Sequence, residues 1–353
     1  MQESEIDASG QLWLLRAMPL RTVVPVTFLA IAAGLSVSMW YSAPLAAGAG
    51  AAVFLAGSAR RQDRNVLATL AQVIASPFRG IAVPAVAEPF DVPLDSGSRS
   101  GRGACGLRWD GAHLAAMLHI DTRVTESGAG ASVPLSDIAK CLVQFDIRLS
   151  AADVIAVENG DVWLVLWLSP LANRVAVDNR GGGHDGAIRS AVSAARRAAR
   201  RLSEGGIAVT ILSAAEMARA MDHLADGIDA ESLRERWTKL RSEGRTLVSF
   251  ELDPDRIEAP VLDEIWSVPS HSTTIVVRLR PVPAHSAPGA VGVSAMVRFE
   301  CDGPLWERRP NALRRLSGAQ YRAWLRSVAL GSPDVRMPRL RTVARDPAKL
   351  ASF

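Results

Sequence analysis

The chain has 353 residues, 48% of them hydrophobic and 22% charged, with a formal net charge of +4. That balance excludes a disordered polyelectrolyte and leaves room, beyond the first 64 residues, for one large domain or two small ones. The three cysteines, Cys105, Cys141 and Cys301, form no C-x-x-C pair and are odd in number, which argues against a disulfide framework and fits a reducing compartment.

Residues 1–21 read as an N-terminal segment, acidic and then mildly apolar. The run 22–59, opening at Thr22 and closing at Ala59, contains no Asp, Glu, Lys, Arg or His. It is too long for one membrane-spanning helix of about 20 residues and the right length for two. Pro44 supplies the break, since proline lacks a backbone N–H and restricts the residue before it. The run predicts a two-helix transmembrane hairpin. Ala30, Gly34 and Ser38, and then Gly48 and Ala52, recur at the helical spacing that lets helices approach closely in lipid. Arg16 and Arg21 precede the run and Arg60, Arg61 and Arg64 follow it, which places both termini in the cytoplasm of an inner-membrane protein. The rivals are a cleaved signal peptide, which the length of the run disfavours, and a buried soluble hairpin, which would carry a polar face.

Residues 60–103 read as a membrane-proximal segment. Leu67, Leu70, Val73 and Ile74 give a short amphipathic helix, and the Pro/Gly/Ser-rich stretch 88–103 gives a linker. Residues 104–330 form the expected cytoplasmic domain. Strands flank an Asp110-Gly111 turn, and a helix is expected over 135–145. The stretch 161–169, DVWLVLWLS, is apolar on both faces, as a central covered strand requires. A helix over 185–202, a strand at 207–212 and a helix at 214–224 follow. This strand–helix–strand–helix order predicts an α/β fold with a mixed, largely parallel sheet. A charged helix is expected at 233–242, strands at 247–252, 273–279 and 291–299, and a last helix at 318–328.

Residues 331–353 read as a basic C-terminal tail. From residue 307 onward ten arginines and one lysine stand against Glu307, Asp334 and Asp346, an excess of eight positive charges that leaves −4 for the rest of the chain. Anionic lipid headgroups or an acidic protein fit such a terminus. Nucleic acid is the weaker reading, because aromatic residues are sparse there and no binding signature occurs.

Gly181, Gly183 and Gly186 satisfy G-x-G-x-x-G, but the tight strand-to-helix turn and the acidic ribose partner of a dinucleotide site are missing. A glycine turn leading into the helix at 185 explains the residues equally well. Asp253 and Asp255 form a D-x-D after a strand, a pattern that holds a divalent cation on a sugar nucleotide, with a plain proline turn as the alternative. The six histidines show no metal spacing, and neither a Walker A motif nor G-x-S-x-G occurs.

Several of these residues carry a resemblance. Val162 to Pro170 reads VWLVLWLSP, Asn173 and Arg174 follow, and Arg180 to Arg189 reads RGGGHDGAIR before a long Ala/Arg helix. With GLRWDG at 106–111 and LSGAQYRAWL at 316–325, the chain is similar to EccE, a membrane component of the actinobacterial type VII (ESX) secretion system. The resemblance implies a non-catalytic structural subunit with a degenerate glycosyltransferase-like α/β domain and no cofactor or metal. It implies the partners EccD, EccC (an FtsK/SpoIIIE-like ATPase) and EccB, besides the lipid bilayer. Arg174, Arg180, Gly181, Gly182, Gly183, Gly186 and Arg189 then form an interaction or fold-defining motif. The alternatives are a membrane-anchored sugar-nucleotide glycosyltransferase using Asp253 and Asp255, and an adaptor binding lipid or nucleic acid through 307–349.

Overall fold

The computed structural model describes residues 60–61, 64–65, 87–94, 103–122, 133–242, 244–282, 289–301, 310–335, 337 and 340–350. The chain divides into two compact units, Met1–Arg79 and Gly80–Phe353. In the first, β1 (Arg60–Arg61) pairs antiparallel with β2 (Arg64–Asn65).

The second unit is built on one thirteen-stranded sheet. Its N-terminal strands are β3 (Phe90–Pro93), β4 (Ala104–Trp109) and β5 (Leu114–Asp121). Helix α1 (Leu135–Lys140) and a separate small hairpin, β6 (Val143–Gln144) and β7 (Ile147–Arg148), lead into the central strands β8 (Ala151–Val157) and β9 (Val162–Leu168). Helices α2 (Arg174–Asp178) and α3 (Gly183–Glu204) cross to β10 (Ala208–Ile211), and α4 (Ala214–Ala225) follows. Then come β11 (Arg234–Arg236), β12 (Lys239–Ser242), β13 (Arg245–Leu252), α5 (Ala259–Trp266), β14 (Ser272–Pro281) and β15 (Val291–Cys301). The chain closes with β16 (Leu313–Arg315), α6 (Gln320–Ser327) and β17 (Val343–Arg345). The strand order is β11-β12-β13-β15-β14-β8-β9-β5-β4-β3, with β10 beside β5, β16 beside β13 and β17 beside β15.

The sheet corrects the expected fold class. Its pairings among the described residues are antiparallel, so it is neither mixed nor largely parallel. The reason lies in β5. Strands β9 and β10 both run antiparallel to β5, and therefore run in the same direction as each other. The crossover through α2 and α3 thus joins two co-directional strands, but β5 sits between them. Helical periodicity reveals a crossover; it does not reveal which strand fills the gap. The expected two-helix hairpin is corrected as well. No helix among the described residues is long and apolar enough to cross a membrane, and the run 22–59 lies outside the described residues.

Both faces of the sheet are covered. Leu118, Val154, Leu164, Leu166, Ile275 and Val297 point to one side, where α1, α3 and α5 pack. Met117, Ile155, Val165, Trp167, Val276 and Met296 point to the other, beneath α4 and α6. Alternate side chains of a strand face opposite ways, so burial of both sets explains why β9 is apolar throughout. Helix α3 approaches closely because its inner face is small: Ala187, Ala191, Ala194, Ala195 and Ala198 are all buried.

The second face also holds buried arginines. Arg278 lies opposite Asp153 across β14 and β8, with its Nε 2.5 Å and its Nη2 2.6 Å from the carboxylate oxygens. Trp167 Nε1 donates to the same carboxylate at 2.9 Å. The remaining donors fasten the covering elements. Arg298 donates to Leu224 O at the end of α4, and Arg108 and Arg278 donate to Ala329 O and Gly331 O beyond α6. Charge-assisted bonds of this kind are about twice as strong as neutral ones.

Three local expectations also change. The stretch 88–103 contributes β3 to the sheet edge, where it pairs with β4. The helix expected over 135–145 stops at Lys140, and 233–242 forms the β11–β12 hairpin. In the latter, Leu240 and Ser242 are buried while Arg241 is exposed, a period of two that the dense charge had disguised as a solvated helix. Helix α5, which begins with Pro260 in its first turn, was not anticipated.

Candidate protein interface

The glycine motif sits where α2 reverses into α3. Gly181, Gly182 and Gly183 take φ values of 105°, 70° and 55°, three consecutive left-handed residues that only glycine adopts at little cost. Gly181 N–H donates to Asp178 O and Gly182 N–H to Val177 O, so both amides close the end of α2. A dinucleotide cradle would need such amides for phosphate. Gly186 serves contact: a β-carbon there would lie 2.3 Å from Val177 O, so the glycine lets α3 meet α2 backbone to backbone.

Asn173, only 4% exposed, joins this bend to the β6–β7 hairpin. Its Oδ1 accepts Arg148 N–H at 2.7 Å, and its Nδ2 donates to Arg148 O and Ser169 O at 2.8 Å each. The amide therefore acts as a surrogate strand partner for β7. Arg180 adds a second tie, its Nη1 donating to Asp146 Oδ2 at 2.6 Å and to Ala176 O at 2.8 Å. Arg197 reaches Asp146 Oδ1 at 3.1 Å. The hydrogen bond from Arg180 holds the Asp146 carboxyl down at about 2. Arg189 donates to Arg180 O at 3.2 Å, bracing the loop from the α3 side.

The braced hairpin presents Phe145. Its backbone is left-handed at φ 54°, a conformation costing a residue with a β-carbon about 1 kcal/mol. Its ring is 95% exposed and touches the Arg197 guanidinium, 5.5 Å from the ring centre. Val143, Leu171 and Val175 are exposed beside the same tie points at 54%, 86% and 74%. Arg174 projects into solvent, 3.8 Å from Asp178.

The structure thus brings Arg180, Gly181, Gly182, Gly183, Gly186 and Arg189 into one bend, with Arg174 on its outer surface. Thr22, Ala30, Gly34, Ser38, Pro44, Gly48, Ala52 and Ala59 lie outside the described residues. Sequence reading missed Phe145, Asp146 and Arg197. A Gln-Phe-Asp turn between two short strands was the available signal, hidden by the helix assigned across it.

The other candidate sites resolve into structural contacts. Asp253 Oδ1 accepts Asp255 N–H and Arg341 Nη2, while Asp255 pairs with Arg341 and Arg345, so arginines occupy the cationic side of the D-x-D. His119 and His223 approach Asp161 at 3.5 and 4.0 Å beside Trp163. Among the described residues no group of three His, Cys, Asp or Glu is placed to hold a metal ion. Burial pushes the Cys105 thiol up to about 12 and the Cys141 thiol to about 11, which keeps both unreactive.

Residues 156–252, which carry β9, the glycine bend, α3 and the strands up to β13, match the family model described as "EccE: Putative type VII ESX secretion system translocon, EccE". The chain is EccE-like. It is also 26% identical over 333 residues to the ESX-5 secretion system protein EccE5 of Mycobacterium marinum (strain ATCC BAA-535 / M), an alignment covering 77% of this chain and 79% of that protein. The EccE match includes the whole path from Leu171 to Arg197 and therefore the α2 and α3 side of the exposed surface.

Proposed function

We propose that this EccE-like chain is a non-catalytic structural subunit of a type VII (ESX) secretion complex at the inner membrane. Its antiparallel-sheet domain packs against neighbouring subunits, EccD, EccC and EccB. The observation that carries this reading is the exposed apolar and basic surface at Phe145, Leu171, Arg174 and Val175, whose α2 side falls inside the EccE-matching segment. Exposed apolar clusters on an otherwise well-packed domain mark protein contacts. Nothing in the D-x-D geometry favours the glycosyltransferase alternative, because its carboxylates already face Arg341 and Arg345.

The test is native co-migration. The tagged full-length chain, extracted in mild detergent from cells expressing the secretion system, should run in a large assembly containing EccC and EccD. Migration solely as a small particle would overturn the assignment.

A further inference from the structure

Phe145 combines two costs that nothing among the described residues offsets fully. It occupies left-handed backbone, where glycine or asparagine would sit with less strain, and it exposes nearly its whole ring to water. The cation–π contact with Arg197 is its recorded ring interaction. The segment holding it is nevertheless tightly braced by Asn173 and by the Asp146 pairs with Arg180 and Arg197. A rigid, strained, exposed aromatic is how an anchor residue looks before its pocket arrives.

The chemistry around it specifies the pocket's owner. Val143, Phe145, Leu171 and Val175 are four of the five large apolar side chains exposed among the described residues. Leu171, in the turn leading into α2, and Val175, in its first turn, flank the buried Asn173 and stand exposed on either side of it. The charge beside them is cationic. Three arginines stand against two carboxylates there: Arg174, 82% exposed, is 3.8 Å from Asp178, and Arg180 and Arg197 share Asp146.

We propose that this surface seats an acidic amphipathic helix from another subunit of the secretion complex. Its apolar face covers Phe145, Leu171 and Val175, and its carboxylates meet Arg174 and Arg197. This rests on the subunit reading and deepens it by stating the partner's chemistry. A second copy of this chain fits poorly, because it would bring Arg174 and Arg197 against their own kind.

The experiment uses the full chain in the assembled complex. Phe145→Gly relieves the backbone strain while deleting the ring, so the two readouts should move in opposite directions. The melting temperature of the isolated chain should hold or rise, and its dissociation from the complex should quicken about tenfold or more. Arg174→Glu should weaken association and flatten its salt dependence without altering the melt. A photo-crosslinking phenylalanine analogue at 145 should join an acid-rich amphipathic segment of another subunit. Crosslinks confined to lipid or to a second copy of the chain would overturn the proposal, as would unchanged dissociation in Phe145→Gly. If the unmodified chain is absent from the complex, the subunit reading itself fails. If it is present but indifferent to both substitutions, only the acidic-helix assignment fails.

Discussion

Arg326 is a residue whose chemistry runs against its surroundings. It is 5% exposed, its Nη1 finds no hydrogen-bond partner, and burial followed by the charge of Arg278 drives its pKa well below the usual arginine value. A guanidinium does not give up its proton at neutral pH, so the group stays charged, with the Asp153 carboxylate offsetting only part of that cost. Removing such a charge is favourable when an apolar side chain of similar length replaces it. Arg326→Met should therefore stabilise the domain by about 1–3 kcal/mol in urea unfolding, an unusual sign for a core substitution. Asp146 behaves conversely. Its pKa in the folded protein is depressed, so its contribution is present above the unfolded carboxylate value near ~4 and is lost as pH falls through about 2. Amide exchange at Gln144 and Asp146 should accelerate across that window while β9 remains protected. Equal protection of both segments down to pH 2 would contradict the brace.

At the scale of elements, the α2–α3 junction is held by contact distance. Gly186→Ala places a methyl group 2.3 Å from Val177 O, so one helix must shift. The expected cost is about 1–3 kcal/mol in chemical denaturation, with loss of the Asn173 bonds to Arg148 as the shift spreads. An unchanged denaturation midpoint would show that the helices have slack. The same junction shows what sequence patterns carry. Helix α3 was legible because its alanine face repeats at helical spacing for about three turns, and β9 because both its faces are apolar. The β6–β7 hairpin was not. In LSDIAKCLVQF the apolar residues keep helical spacing past Lys140, and the hairpin is favoured by tertiary bonds from Asn173, Arg180 and Arg197. The glycine motif was visible as a motif, yet its role depended on α2, whose five residues are too short for periodicity to register.

At the scale of the molecule, sheet topology was the least legible feature. The direction of β9 and β10 followed from the helix between them, but the insertion of β5 depends on a pairing between residues some ninety positions apart. The arginines of the second face were equally hidden. Arg108, Arg278 and Arg298 look like surface residues in sequence, and become rivets only when the carbonyls after α4 and α6 arrive above them.

The ends of the long sheet carry a further consequence. One terminal strand, β11, is three residues long and reads Arg-Glu-Arg; the other, β3, is four residues long and ends in Pro93. Short, charged or proline-bearing edges refuse an incoming strand. A sheet of this width would otherwise be a template for its own extension. At these two ends, contact with a neighbour is directed away from backbone pairing and onto side chains, where the identity of a neighbour can be read residue by residue.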